Sequence, residues 1–421
     1  MARNHDSMLT KTLPTHSTRA SVVDRGFRHV LHRKLRAFSD GEIRVVDDTS
    51  SHLFGSTSTP ELRAHIEVRD PRTYRAVALG GTIGAAEAYA DGWWRSDDLT
   101  ALIRVMARNR DAANQLEGWS TWIAWAAHVA NLRLRNNRKP QSRRNISAHY
   151  DLGNDFFASF LDRTMTYSCA VFPDAHSSLE DGSRHKLDLI CRKLDLSPAD
   201  ELLEIGSGWG SLAVHAASHY GCRVVTTTIS REQFHHVNKA IRAAGLDGRV
   251  TVLSMDYRDL PSALTRRFDK VVSVEMIEAV GYKYLDRYFQ VCEAMTKPGG
   301  AMLLQSIVIA DAFYEEYRRS VDVIQRHIFP GGFLPSLGDL RGRIMDRTSF
   351  HVANLHDITD HYPKTLRLWR ECLAENWSRL RARGYPESLL RMWEYYFCYC
   401  EGGFLEQTIG DVQLLLSKPR P

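Results

Sequence analysis

From residue 200 onward, short apolar runs alternate with stretches of helical spacing. The runs are Glu201 to Ile205, Arg223 to Ile229, Val250 to Ser254, Phe268 to Val274 and Ala301 to Gln305, with Lys297-Pro298-Gly299-Gly300 as the turn into the fifth. Continuous Val- and Leu-rich runs of this length, separated by helices, predict an α/β fold with a parallel sheet. In such sheets ligands bind beyond the carboxyl ends of the strands. The residues to weigh are therefore Gly206 to Gly210, Thr228 to Gln233, Asp256, Glu275 to Glu278 and Gln305 to Ile307.

Upstream the pattern is different. Gly41 to Val46 and Ala64 to Val68 alternate with period two, as short strands do, and Gly80-Gly81-Thr82-Ile83-Gly84 leads into a helix from Ala85 to Ala90. Asp91-Gly92-Trp93-Trp94 closes that helix with a turn and two aromatics. A small α+β and helical module is expected here. Between Glu117 and Leu134, Trp119, Trp122, Ile123, Ala126, Val129 and Leu132 recur near helical spacing, and a basic run through Arg133, Arg135, Arg138, Lys139, Arg143 and Arg144 follows. This pattern suits a helix lying on an anionic lipid surface, and equally a helix joining two domains. A further helix is expected from Leu179 to Leu194. The organisation predicted is a disordered start over 1–20, a module and basic linker over 21–140 suited to a lipid surface, and a larger α/β domain over 141–421. Aromatic residues crowd the last hundred positions, as in Trp393-Glu394-Tyr395-Tyr396-Phe397-Cys398-Tyr399. They read as core, or as the wall of a hydrocarbon channel.

Composition narrows the classes. The formal charge of +5 over 421 residues permits an acidic surface as partner but gives no reason to expect nucleic acid. Seven cysteines at irregular spacing suit a reducing compartment. No metal is expected, because the cysteines and histidines lack ligand spacing. No apolar run has signal-peptide or bilayer-spanning length, so a cytoplasmic protein is expected.

The chemistry centres on Glu204-Ile205-Gly206-Ser207-Gly208-Trp209-Gly210. Glycines directly after a strand let a ligand approach the backbone, and the first amides of the following helix point outward unpaired. The dinucleotide fingerprint is not met: the third glycine comes one residue early, Ser211 stands in its place, and no acidic residue ends the second strand. The spacing resembles the Glu-x-Gly-x-Gly-x-Gly loop of S-adenosylmethionine-dependent methyltransferases. Thr228 and Gln233 suit a ribose, and Asp256, before Tyr257-Arg258-Asp259, suits either the adenosine end or a turn.

From about Ala85 to its end the chain resembles the cyclopropane-fatty-acyl-phospholipid synthase family, which includes the mycolic acid cyclopropane synthases. The motifs that carry the resemblance are Ala148-His149-Tyr150-Asp151, Thr166-Tyr167-Ser168-Cys169, the glycine loop, Thr228-Ile229-Ser230, Glu278 before Ala279-Val280-Gly281, Ile328-Phe329-Pro330-Gly331-Gly332, and His361-Tyr362 before Thr365-Leu366. The resemblance implies a Rossmann-like methyltransferase sheet and methylene transfer from S-adenosylmethionine to a cis double bond of a phospholipid acyl chain, giving a cyclopropane. A related lipid C-methyltransferase giving methylene- or methyl-branched chains is the alternative. It further implies cofactor contacts from Tyr167, Ser168, Gly206, Gly208, Thr228 and Gln233. A bicarbonate ion, held by Glu278, Tyr362, Cys169, Ile307 and the position of Gln305, would stabilise charge and take the methyl proton. The departures are Ser207 for a common Cys, Ala279 for the His of the usual Glu-His, and Gln305 for the usual His after the fifth strand. The implied partner is unsaturated phospholipid at the inner face of a membrane; homodimerisation is left open.

Overall fold

The computed structural model describes residues 20–114, 141 and 152–420. The chain divides into two compact units, 1–120 and 121–421. The expected disordered start apart from Ala20, the Trp119 to Arg144 segment apart from Gln141, and the Ala148 to Asp151 motif lie outside the described residues.

In the first unit a four-stranded sheet has the order β2-β1-β3-β4, with β1 Gly41–Asp47, β2 Ser50–Ser56, β3 Arg63–Val68 and β4 Trp94–Ser96. The β1–β2 hairpin turns on Asp47, whose Oδ1 accepts from the amides of Thr49 and Ser50, while Tyr74 donates its hydroxyl to Oδ2 at 2.6 Å. The helix expected from Ala85 to Ala90 is the second part of a helical segment, Arg72–Ala90, that breaks at Gly81, where the backbone is non-helical. Gly81 has φ of 55°, and a side chain at Gly84 would strike the carbonyl oxygen of Ala76. Trp94 is buried and bonds the Ala85 carbonyl, and Arg72 lies 4.3 Å over the Trp93 ring.

The second unit holds a seven-stranded sheet of order β10-β11-β9-β8-β5-β6-β7. Its strands are β5 Glu201–Ile205, β6 Arg223–Thr228, β7 Val250–Ser254, β8 Phe268–Val274, β9 Thr296–Ile309, β10 His351–Asp357 and β11 Ile409–Ser417. The five expected strands are present and mutually parallel; β11 and β10 add antiparallel at one edge. Neighbouring residues of a strand serve opposite faces, as the two-residue period requires. Leu203, Val271, Met302 and Leu304 pack under Leu285–Met295, whereas Leu202, Val224, Val272 and Leu303 pack with Leu212 and the helix Leu179–Lys193. That last helix starts at a capping box made by Ser178 and Asp181. The turn expected at Lys297 to Gly300 lies inside β9, where the β8–β9 register shifts.

Candidate functional site

The glycine loop leaves β5 with positive φ at Gly206 (96°), Gly208 (50°) and Gly210 (92°). A Cβ on Gly206 would lie 2.9 Å from Met276 Cγ, and one on Gly210 2.9 Å from Val237 Cγ1; at Gly208 nothing stands within 4 Å. Two glycines thus seat the turn against its neighbours, and the middle one faces open space that a ligand can enter. Below the turn, Glu204 is buried and accepts from Thr226 Oγ1; burial pushes its carboxyl up to about 8.

The other expected cofactor contacts are distributed unevenly. Thr228 and Gln233 meet at 2.8 Å past the end of β6, where Ser230 caps the helix Arg231–Ala243. The carboxylate of Asp256 is engaged by Arg258, at 2.8 Å from Nε and 2.6 Å from Nη2. Ser168 accepts from the Nζ of Lys186, a lysine buried in the helix Leu179–Lys193. The ring of Tyr167 belongs to a cluster with Phe157, Phe160, Trp209, Trp369 and Trp393, and its hydroxyl lies 3.3 Å from that of Tyr396. The C-terminal aromatics expected as core or channel wall fill this space with their own rings.

Beyond the carboxyl ends of β8 and β9 the structure assembles a cluster of carboxyl groups. At its centre is Glu275, which the sequence reading placed in the loop to be weighed but gave no role. Glu275 Oε1 accepts from the Cys169 amide at 2.8 Å and from Gln305 Nε2 at 2.8 Å, and Oε2 accepts from the Tyr362 hydroxyl at 2.6 Å. Glu278 sits one turn on. Its Oε1 accepts from the Ile307 amide at 2.6 Å and Ser306 Oγ at 3.1 Å, while Oε2 is sealed from solvent with no hydrogen-bond partner among the described residues. Burial, with Glu275 nearby, pushes the Glu278 carboxyl up to about 8. Asp411 of β11, wholly buried, accepts from the same Gln305 amide at 3.0 Å, and burial beside Glu275 pushes it well above the usual carboxylate range. Gln305 is locked in turn, since its Oε1 accepts from Gln413 Nε2 at 3.0 Å.

The loop carrying Cys169 is held by three further bonds. Ala170 donates to Thr365 Oγ1, Val171 to the Gly182 carbonyl, and Phe172 to His361 Nδ1. The Cys169 thiol is fully buried and burial pushes it up, so it is an inert packing group whose backbone amide is the working part. The diglycine after Pro330 brings the Phe333 amide to the Glu278 carbonyl at 2.8 Å.

A family model described as mycolic acid cyclopropane synthetase matches residues 137–414. The chain belongs to that family. Among its relatives, the tuberculostearic acid methyltransferase UfaA1 of Mycobacterium tuberculosis is 34% identical over 97% of this chain and 93% of its own length. The cyclopropane-fatty-acyl-phospholipid synthase of Escherichia coli is 37% identical over 84% of this chain and 88% of its own. Of solved structures, the mycolic acid cyclopropane synthase CmaA1 complexed with SAH and CTAB superposes with a TM-score of 0.61 at 30% identity, covering 66% of this chain and 98% of that one. The sheet is accordingly the methyltransferase sheet of cyclopropane synthases.

Within this cyclopropane synthetase family member, the expected bicarbonate does not fit the residues present. Each donor assigned to it is already engaged by a protein carboxyl: Cys169, Gln305 and Tyr362 by Glu275, and Ile307 by Glu278. Glu278 and Tyr362 are thus brought into one cluster as expected, but around a side chain rather than around space for an ion. Two residues escaped the sequence reading altogether. Asp411 lies on a strand that was not foreseen, and Lys186 reads as one more polar position of an amphipathic helix.

Proposed function

We propose that this protein transfers a methyl group from S-adenosylmethionine to the double bond of an unsaturated phospholipid acyl chain and closes the product to a cyclopropane. One juxtaposition carries the reading. Met276, the neighbour of Glu275, packs directly on Gly206 of the glycine loop, which sets a half-buried carboxylate beside the loop suited to the cofactor. When bound, S-adenosylmethionine supplies an electrophilic methyl. An alkene is a poor nucleophile, so the work of the protein is to hold the two at near-attack separation, about 3 to 3.5 Å, and to exclude water from the cation that follows. The aromatic cluster around Tyr167 and Trp369 gives the apolar surround, and the carboxylate stabilises the positive charge as it develops.

A second reading, methylene or methyl branching without ring closure, is favoured by the name of the relative that aligns along nearly the whole chain, a tuberculostearic acid methyltransferase. Expression in a bacterium lacking cyclopropane lipids, followed by proton NMR of the isolated fatty acids, separates the two. Upfield cyclopropyl methylene signals are expected; vinylic methylene signals without them support the branched product. Absence of any new fatty acid and of any S-adenosylhomocysteine release would defeat both. Substrate is best offered as anionic vesicles, because the basic segment after Trp119 suits the inner face of a membrane, where we place the enzyme.

The glycine loop gives its own test. Gly208→Ala is expected to weaken S-adenosylmethionine binding at least about tenfold, since the new methyl enters the open space the ligand needs. Stability should fall by only about 1 to 2 kcal/mol, the cost of alanine at positive φ. Titration calorimetry and thermal melting read the two effects separately, and unchanged affinity would remove the loop from the cofactor site.

A further inference from the structure

We propose that Glu275 is a built-in replacement for the bicarbonate ion: its carboxylate takes the ion's hydrogen-bond donors, stabilises the methylated chain and accepts the proton that the chain loses. The proposal rests on the reading of lipid methyl transfer given above. Three observations meet at this residue. First, Glu275 receives a backbone amide, a side-chain amide and a phenol hydroxyl, a donor set suited to an anion. Second, its backbone has φ of 46°, one of only four non-glycine residues at positive φ among those described. A glutamate there is strained where glycine would not be, so packing alone does not explain its presence. Third, the turn it begins lies against Gly206, next to the loop from which the methyl comes.

The other carboxyl groups of the cluster are poorly placed for the same task. The near oxygen of Glu278 is taken by Ile307 and Ser306, and Asp411, wholly buried on β11, is hydrogen-bonded to Gln305 and to Glu275 itself. In the step assigned to Glu275, a C–H bond of the newly added methyl breaks and its proton passes to the carboxylate. The electron pair of that bond forms the new C–C bond to the cationic carbon and closes the ring. If the broken bond belongs instead to a neighbouring chain carbon, the same pair forms a double bond, and proton and charge balance equally. No oxidant or further reactant is needed, and the proton leaves with solvent exchange after product departs.

The test uses purified full-length protein, unsaturated phospholipid vesicles and buffer stripped of carbon dioxide, with S-adenosylhomocysteine release as readout. Wild-type turnover is expected to be the same with and without added bicarbonate. Glu275→Gln, which keeps the shape, should lose about 10³-fold in turnover while still binding S-adenosylmethionine. Glu275→Gly relieves the backbone strain and opens the ion's place, so it should be inactive in stripped buffer and recover when bicarbonate is added. A wild-type rate that falls on bicarbonate removal would overturn the proposal. So would a Glu275→Gln variant of undiminished rate, or a folded, cofactor-binding Glu275→Gly that bicarbonate fails to revive. Wild-type protein that never releases S-adenosylhomocysteine with any unsaturated lipid defeats the functional reading itself, and is recognised before any variant is made.

Discussion

Tyr362→Phe is expected to lower kcat roughly 100-fold, the scale for loss of one preorganised hydrogen-bond donor to a reacting group. The hydroxyl removed is the only one donating to Oε2 of Glu275 among the described residues, at 2.6 Å. Without it the carboxylate keeps Cys169 and Gln305 on its other oxygen and can swing about that anchor. The ring itself has a separate duty. It stacks on Phe404 at 4.3 Å between centroids and 21° between planes, and phenylalanine preserves that contact. Folding stability should therefore change by only about 1 kcal/mol, the usual net worth of one hydrogen bond. KM for S-adenosylmethionine should hold steady, because Tyr362 positions the carboxylate rather than the cofactor. A kcat within twofold of wild type, or a loss confined to KM, would show that the hydroxyl serves packing alone.

The sheet was legible because its parallel strands carry both of their signals locally: apolar runs of strand length, and a glycine turn where the first of them ends. The antiparallel edge was not. Strand β10, His-Val-Ala-Asn-Leu-His-Asp, is almost wholly exposed and has no apolar face to betray it, and β11 follows a long helix that obscures its start. The site divides along the same line. Residues belonging to contiguous motifs, Cys169, Glu278, Ile307 and Tyr362, do converge, since the resemblance carries position. What the resemblance could not carry was Glu275, a second carboxylate that accepts the hydrogen bonds expected for the ion. Glu275 and Glu278 stand three apart just beyond the fourth strand, and that doubling was the available signal. Choosing between them needs the backbone: positive φ at Glu275 aims its side chain at Tyr362, whereas Glu278 turns toward Ile307. Buried titratable groups such as Lys186 and Asp411 are invisible to periodicity, because their partners, Ser168 and Gln305, come from other elements 18 and 106 residues away.

Two buried acids make the stability of the fold fall as pH rises. Glu204 and Glu278 are each pushed by burial from an ordinary 4.5 up to about 8. Between those values the folded chain keeps a proton on each that the unfolded chain has already released. Unfolding in that window therefore releases protons, and alkali favours it. The stabilisation is fully present below about 4.5, declines by up to about 1.4 kcal/mol per pH unit for each group, and is lost once pH passes about 8. Glu204 is the better probe because it is buried under the glycine turn, clear of the carboxyl cluster, with Thr226 as its hydrogen-bond partner. Glu204→Gln keeps an acceptor for that hydroxyl and cannot ionise. Between pH 5 and pH 8 the wild type should lose on the order of 3 kcal/mol more stability than the variant. Denaturant unfolding at the two pH values measures the difference directly. Identical losses would mean that Glu204 is ionised in the folded protein at pH 8 at no cost, and that the floor of the glycine loop is more polar than its hydrogen bonds suggest.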